Sequence, residues 1–153
     1  MKRELKEIIG YIINGLSIAL FIYLASILDV PGFLHPLKYL GWALLGLGIG
    51  LIVLSTVALI SNRGKGLIES GVYSIVRHPM YVGAILVYLS YTFFHPHWLV
   101  LLLSLANVAI IYAFILQADQ QNVAEFGDAY KRYMENVPRI NLPAGIVRRL
   151  KKQ

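Results

Sequence analysis

The 153-residue chain contains no cysteine, which excludes disulfides, thiolate metal sites and a cysteine nucleophile. Charge is also scarce. Only 14% of the residues are Asp, Glu, Lys or Arg, where a soluble domain carries roughly 25%. Acidic residues are the rarer kind, 8 against 14 basic ones, for a net charge of +6. Internal repeats, low-complexity tracts and metal-ligand spacings are missing, so neither a metal nor a nucleic-acid partner is expected, and the length suits a single domain, 1–153. What is plentiful is apolar: 58% of residues are hydrophobic and the mean hydropathy is +0.64. That composition predicts an all-α integral membrane protein, because a helix satisfies its own backbone in a medium that offers no water. The first apolar run is too long for a signal peptide and lacks a small-residue cleavage pattern.

Four apolar segments predict four transmembrane helices at about 8–28, 39–60, 79–94 and 98–117. The last two are separated only by His95-Pro96-His97, and a proline in so short a connection predicts a tight hairpin. The stretch Met80 to Phe94 has 15 residues, roughly 22 Å of helix against a hydrocarbon core of about 30 Å. Its ends must therefore sink below the interface, drawing Arg77 and His78 towards the membrane. In a four-span topology thirteen of the 14 basic residues fall on one side and only Lys38 on the other, which predicts cytosolic termini. Short loops and the absence of cysteine suit a prokaryotic cell membrane.

Beyond the last apolar run, Val123, Phe126, Tyr130, Tyr133, Met134 and Val137 recur at three- and four-residue intervals among charged residues. This predicts a cytosolic amphipathic helix at about 119–136, lying along the membrane surface. Gly127 inside it marks a bend or a close approach. Pro138 and Pro143 are expected to end regular helix, leaving a basic tail, 144–153, whose Arg148, Arg149, Lys151 and Lys152 would each gain on the order of 1 kcal/mol near anionic headgroups or serve simply as cytosolic retention.

The chemistry concentrates in Arg77-His78-Pro79-Met80-Tyr81-Val82-Gly83. A cation, an imidazole and a phenol at a membrane boundary are costly and so point to function. Taken singly, each has a structural alternative: Arg77 as a positive-inside anchor, His78 as an interfacial residue, Tyr81 as part of an aromatic belt. Together with Gly71 to Val76 before it, and with Glu125-Phe126-Gly127-Asp128-Ala129-Tyr130-Lys131-Arg132-Tyr133 and Val137-Pro138-Arg139 beyond the hairpin, the heptapeptide resembles the isoprenylcysteine carboxyl methyltransferase and phospholipid methyltransferase superfamily. The resemblance covers about the second half of the chain. It implies an integral membrane enzyme that moves a methyl group from S-adenosylmethionine to a lipophilic acceptor, with membrane lipids as its surroundings.

Within that resemblance Arg77, His78 and Asp119 are the candidate catalytic residues. Tyr73, His78, Pro79, Tyr81, Gly83 and Asp119 are candidates for holding the cofactor, and Arg77 and Arg139 for holding the acceptor. Close packing of membrane helices is the first explanation for Gly46, Gly48 and Gly50; they also resemble the glycine-x-glycine element that such methyltransferases use at the cofactor, and stand as cofactor candidates on that ground. The superfamily places an acidic pair just after the hairpin, and this chain has Ala118-Asp119 there. The methylated atom, oxygen, nitrogen or sulfur, stays open. Two other readings compete. Sterol-type reductases using NADPH share an Arg-His-Pro-x-Tyr element, but here Met80 and Ala84 stand where they have asparagine and an acidic residue. A non-catalytic scaffold or binding protein on a decayed enzyme fold is the other, argued from Ala118-Asp119.

Overall fold

The computed structural model describes residues 2–151, in which every regular element is helical. Six α-helices follow in order: α1 (Lys2–Ile27), α2 (Leu37–Ser61), α3 (Pro79–Phe94), α4 (Trp98–Phe126), α5 (Asp128–Asn136) and α6 (Leu142–Leu150), with short 3-10 turns at Gly32–Leu34 and Gly71–Ser74. Lys152 and Gln153, the end of the expected basic tail, lie outside the described residues, as do the side chains of Lys2, Arg3 and Lys6. Among the described residues two helices are long and apolar enough to cross a membrane, α2 and α4, and only 17% and 28% of their most apolar windows are buried. Apolar residues therefore face outward along these helices, the reverse of a water-soluble core. The apolar part of α1, Ile12–Ile27, and α3 are shorter.

Two compact units can be distinguished, Met1–Gly46 with Ile85–Ile111, and Leu47–Ala84 with Tyr112–Gln153. In the first, the expected hairpin is present. His95-Pro96-His97 joins α3 to α4, and the Ser104 hydroxyl donates to the Tyr88 carbonyl (3.0 Å) while accepting from Thr92 Oγ1 (3.0 Å). The Tyr88 hydroxyl donates to Asn14 Oδ1 of α1 (2.6 Å), and Phe21 stacks on Tyr91 with ring centroids 4.4 Å apart. Gly41 of α2 is buried against Phe94, whose ring lies 3.0 Å from where a Cβ would stand.

In the second unit the expected boundary between a span ending at 117 and an interfacial helix beginning at 119 does not occur. Helix α4 continues unbroken to Phe126. Gln117, Ala118, Gln120, Gln121 and Glu125 are good helix formers, so the change from apolar to polar sequence gives the backbone no reason to stop. The break comes at Gly127, whose φ of 56° is a conformation that residues with a Cβ rarely adopt. The amphipathic face expected to lie on a membrane is instead taken by the protein: Tyr130, Tyr133 and Val137 form a buried cluster against Leu67, Val123, Phe126 and Met134. Pro143, expected to end helix, opens α6, where a missing N–H is harmless and where Asn141 Oδ1 caps the Ala144 N–H (3.0 Å). Gly145 then seats α6 on the turn below, since a Cβ there would stand 1.9 Å from the Ile75 carbonyl oxygen.

Candidate functional site

Pro79 opens α3 and is fully buried. Its fixed φ suits the first helical position, and the His78 carbonyl accepts the first bond of the helix from the Val82 N–H (3.0 Å). His78 and Arg77 are thereby held at the head of α3, 5% and 8% exposed. The backbone of Arg77 is pinned from the other side by the Pro138 carbonyl, which accepts its N–H at 3.0 Å.

Asp119, projecting from α4, is 5% exposed. Its Oδ1 accepts from the Arg77 guanidinium (3.2 Å), His78 Nε2 (2.7 Å) and the Tyr130 hydroxyl (2.6 Å), while its Oδ2 accepts from Arg139 Nε (2.7 Å). An isolated buried carboxylate would be prohibitively costly; one that receives four donors, three from cationic side-chain types, is not. Because a carboxylate has no proton to give, the His78 ring must present N–H at Nε2, which leaves Nδ1 as its proton-accepting atom in the neutral form. Arg139 is the more accessible partner, with 32% of its side chain exposed, and Nη1 of the same head donates to the Tyr112 hydroxyl (3.2 Å).

The two tyrosines of α5 keep their protons. Burial, reinforced by the bond to Asp119 and opposed by one with Asn122, pushes the Tyr130 phenol up to about 12. Burial likewise raises Tyr133 well above the ordinary range, so its hydroxyl stays a donor, reaching the Tyr73 carbonyl at 2.5 Å. The Tyr73 phenol, half-buried in the 3-10 turn, is also raised by burial. Tyr81 sets its ring edge against His78, centroids 5.8 Å apart at 61°.

Of the residues singled out from sequence, Arg77, His78, Asp119 and Arg139 thus meet in one cluster, with Pro79 and Tyr81 beside it. Gly83 faces α2 instead, where a Cβ would lie 2.6 Å from the Gly48 carbonyl oxygen; this pair lets α2 and α3 touch backbone to backbone. Gly50 has open space where a Cβ would stand, as does Gly46, which belongs to the first unit. Sequence reasoning missed Tyr130 and Tyr112 as polar partners. Tyr130 belongs to the apolar stripe and to the tail motif, neither of which gives its hydroxyl a role; the available signal is that hydroxyl, which needs a partner once the ring is buried.

The donor set of this cluster suits a further carboxylate. Arg77 Nε is buried without an acceptor, and the cluster sets two guanidinium groups and an imidazole against a single carboxylate.

Outward apolar faces on the long helices α2 and α4, combined with an ionic cluster buried between the head of the shorter α3 and α4, are the features of a membrane-associated protein. The phospholipid methyltransferase family pattern matches residues 37–126, more than half of the chain, and the chain belongs to that family. No curated protein and no solved structure matches it. The matched stretch holds Arg77, His78 and Asp119, whereas Tyr130 and Arg139, the other two donors to Asp119, lie beyond it.

Proposed function

We propose that this protein transfers a methyl group from S-adenosylmethionine to a lipophilic acceptor at the cytosolic mouth of a four-span membrane domain with both termini inside. The observation that carries the reading is the buried Arg77 head, which shares Asp119 with His78 and still has a donor to offer. Four spans require α1 and the 16-residue α3 to cross as well, with their charged ends drawn in, and the distribution of Lys and Arg supports that orientation.

The cofactor would supply an activated methyl on a sulfonium. The protein's part is then to align the partners and exclude water. Arg77 is suited to its carboxylate and the Tyr81 ring to a flat aromatic surface such as adenine. Asp119 acts mainly as a positioning residue: with Oδ1 already accepting three bonds, it holds His78 by Nε2 and keeps Nδ1 available to take a proton. Buried Val76 and Pro79 wall the cluster from water. Among acceptors, an amine on a phospholipid headgroup accords with the family; it attacks as the free amine, so its ammonium form must first give up a proton, and His78 Nδ1 is the atom suited to take it.

Radiolabelled S-adenosylmethionine with native lipid extract should yield an organic-soluble labelled product. His78→Ala is expected to reduce it on the order of 10²-fold and Tyr81→Phe to reduce it less. Purified protein that neither binds millimolar cofactor nor labels any lipid would overturn the reading.

A further inference from the structure

A second polar site lies within the same unit, away from Asp119. A cavity of about 570 Å³ opens between the 71–74 turn, α5 and α6, and its polar lining is Glu69, Ser74, Arg132, Asn136, Arg148 and Arg149. None of Arg77, His78, Tyr81, Asp119 or Arg139 lines it. Three guanidinium groups against one carboxylate make it strongly cationic. Arg149 is held as a preset donor, with Nη1 bound to the Gly71 carbonyl (3.0 Å) and to the Ser74 hydroxyl.

Helix α6 places those arginines with a purpose that retention in the cytosol does not require. Gly145, Arg148 and Arg149, spaced three and four apart, share the face seated on the turn at Ile75. Ile146, Val147 and Leu150, at 46%, 51% and 66% exposed, lie bare on the remaining surface of the helix. A short helix with an unpartnered apolar face beside clustered arginines has the chemistry of an interfacial element, apolar side towards acyl chains and guanidinium groups at headgroup depth. Arginine's planar fork matches the oxygens of a phosphate, and the excess of three guanidinium groups over the single Glu69 carboxylate favours ligands carrying net negative charge.

We propose that this cavity is a binding site for the phosphate of an anionic phospholipid headgroup, which anchors α5 and α6 to the membrane surface and is distinct from the methyl acceptor. The site stands whether or not the Asp119 cluster transfers methyl groups. Full-length protein in neutral maltoside detergent, titrated by native mass spectrometry with dioctanoyl phosphatidylglycerol, dioctanoyl phosphatidylcholine and inorganic phosphate, should bind the first at least tenfold tighter than either of the others. Arg132→Gln/Arg148→Gln/Arg149→Gln should abolish that preference, and Arg132→Gln alone, on an exposed helical position, should weaken it severalfold without disturbing the fold. Glu69→Gln should strengthen phosphatidylglycerol binding, and Ile146→Ser/Leu150→Ser should weaken lipid but not phosphate. Equal binding of the two lipids, an undiminished preference in the triple variant, or phosphate binding as tight as the lipid would overturn the proposal. So would an equal loss of S-adenosylhomocysteine affinity in Arg132→Gln, because the cavity would then belong to the cofactor.

Discussion

The two units both bury polar side chains in an apolar helical setting, and they do so by opposite means. In the first, the bonds are neutral and pairwise: Tyr88 to Asn14, Thr92 to Ser104, Ser104 to the Tyr88 carbonyl. Each joins one helix to another, and none gathers charge. In the second, a single carboxylate collects Arg77, His78, Tyr130 and Arg139, bringing residues from the head of α3, from α5 and from the stretch after it onto α4. Neutral pairs suffice to register helices. A charged hub of this kind is more expensive than registration demands, and what it secures is a set of cationic donors held ready in one place.

The sharpest way to break the contrast is Asp119→Ala. Removing the shared acceptor leaves two guanidinium groups and His78 without their partner, at a cost of about 3–5 kcal/mol, and methyl transfer should be lost; chemical unfolding in detergent and the labelling assay read the two effects. Asp119→Glu, which keeps the carboxylate on a side chain one methylene longer, should retain more of both.

Next in size is Gly145→Ala. A Cβ 1.9 Å from the Ile75 carbonyl oxygen must push α6 from the turn, and overpacking of this kind costs about 1–3 kcal/mol. Faster proteolysis of the tail, with the first unit's protection unchanged, is the expected result.

Tyr130→Phe should cost about 1 kcal/mol, the worth of one buried hydrogen bond, and should lower transfer while leaving the bonds of His78 and Arg77 to Asp119 in place. The pH dependence has a definite sign. The folded phenol sits at about 12 against an ordinary 10.0, so its contribution to stability is complete below pH 10 and is lost as pH rises through 12. Unfolding midpoints of wild type and Tyr130→Phe should therefore converge only at strongly alkaline pH.

The smallest effect belongs to the neutral network. Ser104→Ala should cost about 0.6 kcal/mol, the average for such bonds between membrane helices, with no change in transfer. A large loss of activity there would erase the distinction between the two kinds of polar burial.

Much of this was legible in the residues. Apolar runs mark α1 to α4, the His95-Pro96-His97 turn reads as a hairpin, and Arg77, His78, Asp119 and Arg139, named as site candidates by resemblance, meet at the Asp119 carboxylate. Three features escaped for identifiable reasons. The polarity change after Leu116 looked like a helix end, yet helix propensity continues through it to Gly127. Tyr130 and Tyr133 looked like a lipid-facing stripe because periodicity reports a face and not what covers it. Pro143 looked like a terminator because the same residue that cannot sit inside a helix is well placed to begin one.

Sequence by itself determined the class of this protein, since hydropathy and the scarcity of charge act locally and need no knowledge of the fold. It also determined the motif that opens α3, where proline's fixed φ and missing N–H dictate the start of a helix whatever surrounds it. Only the tertiary structure decided that Asp119, 41 residues from His78 and 20 from Arg139, is the acceptor they share. The reason is physical: an ion pair depends on distance in space, and spacing along the chain carries no record of that distance until the helices between have packed.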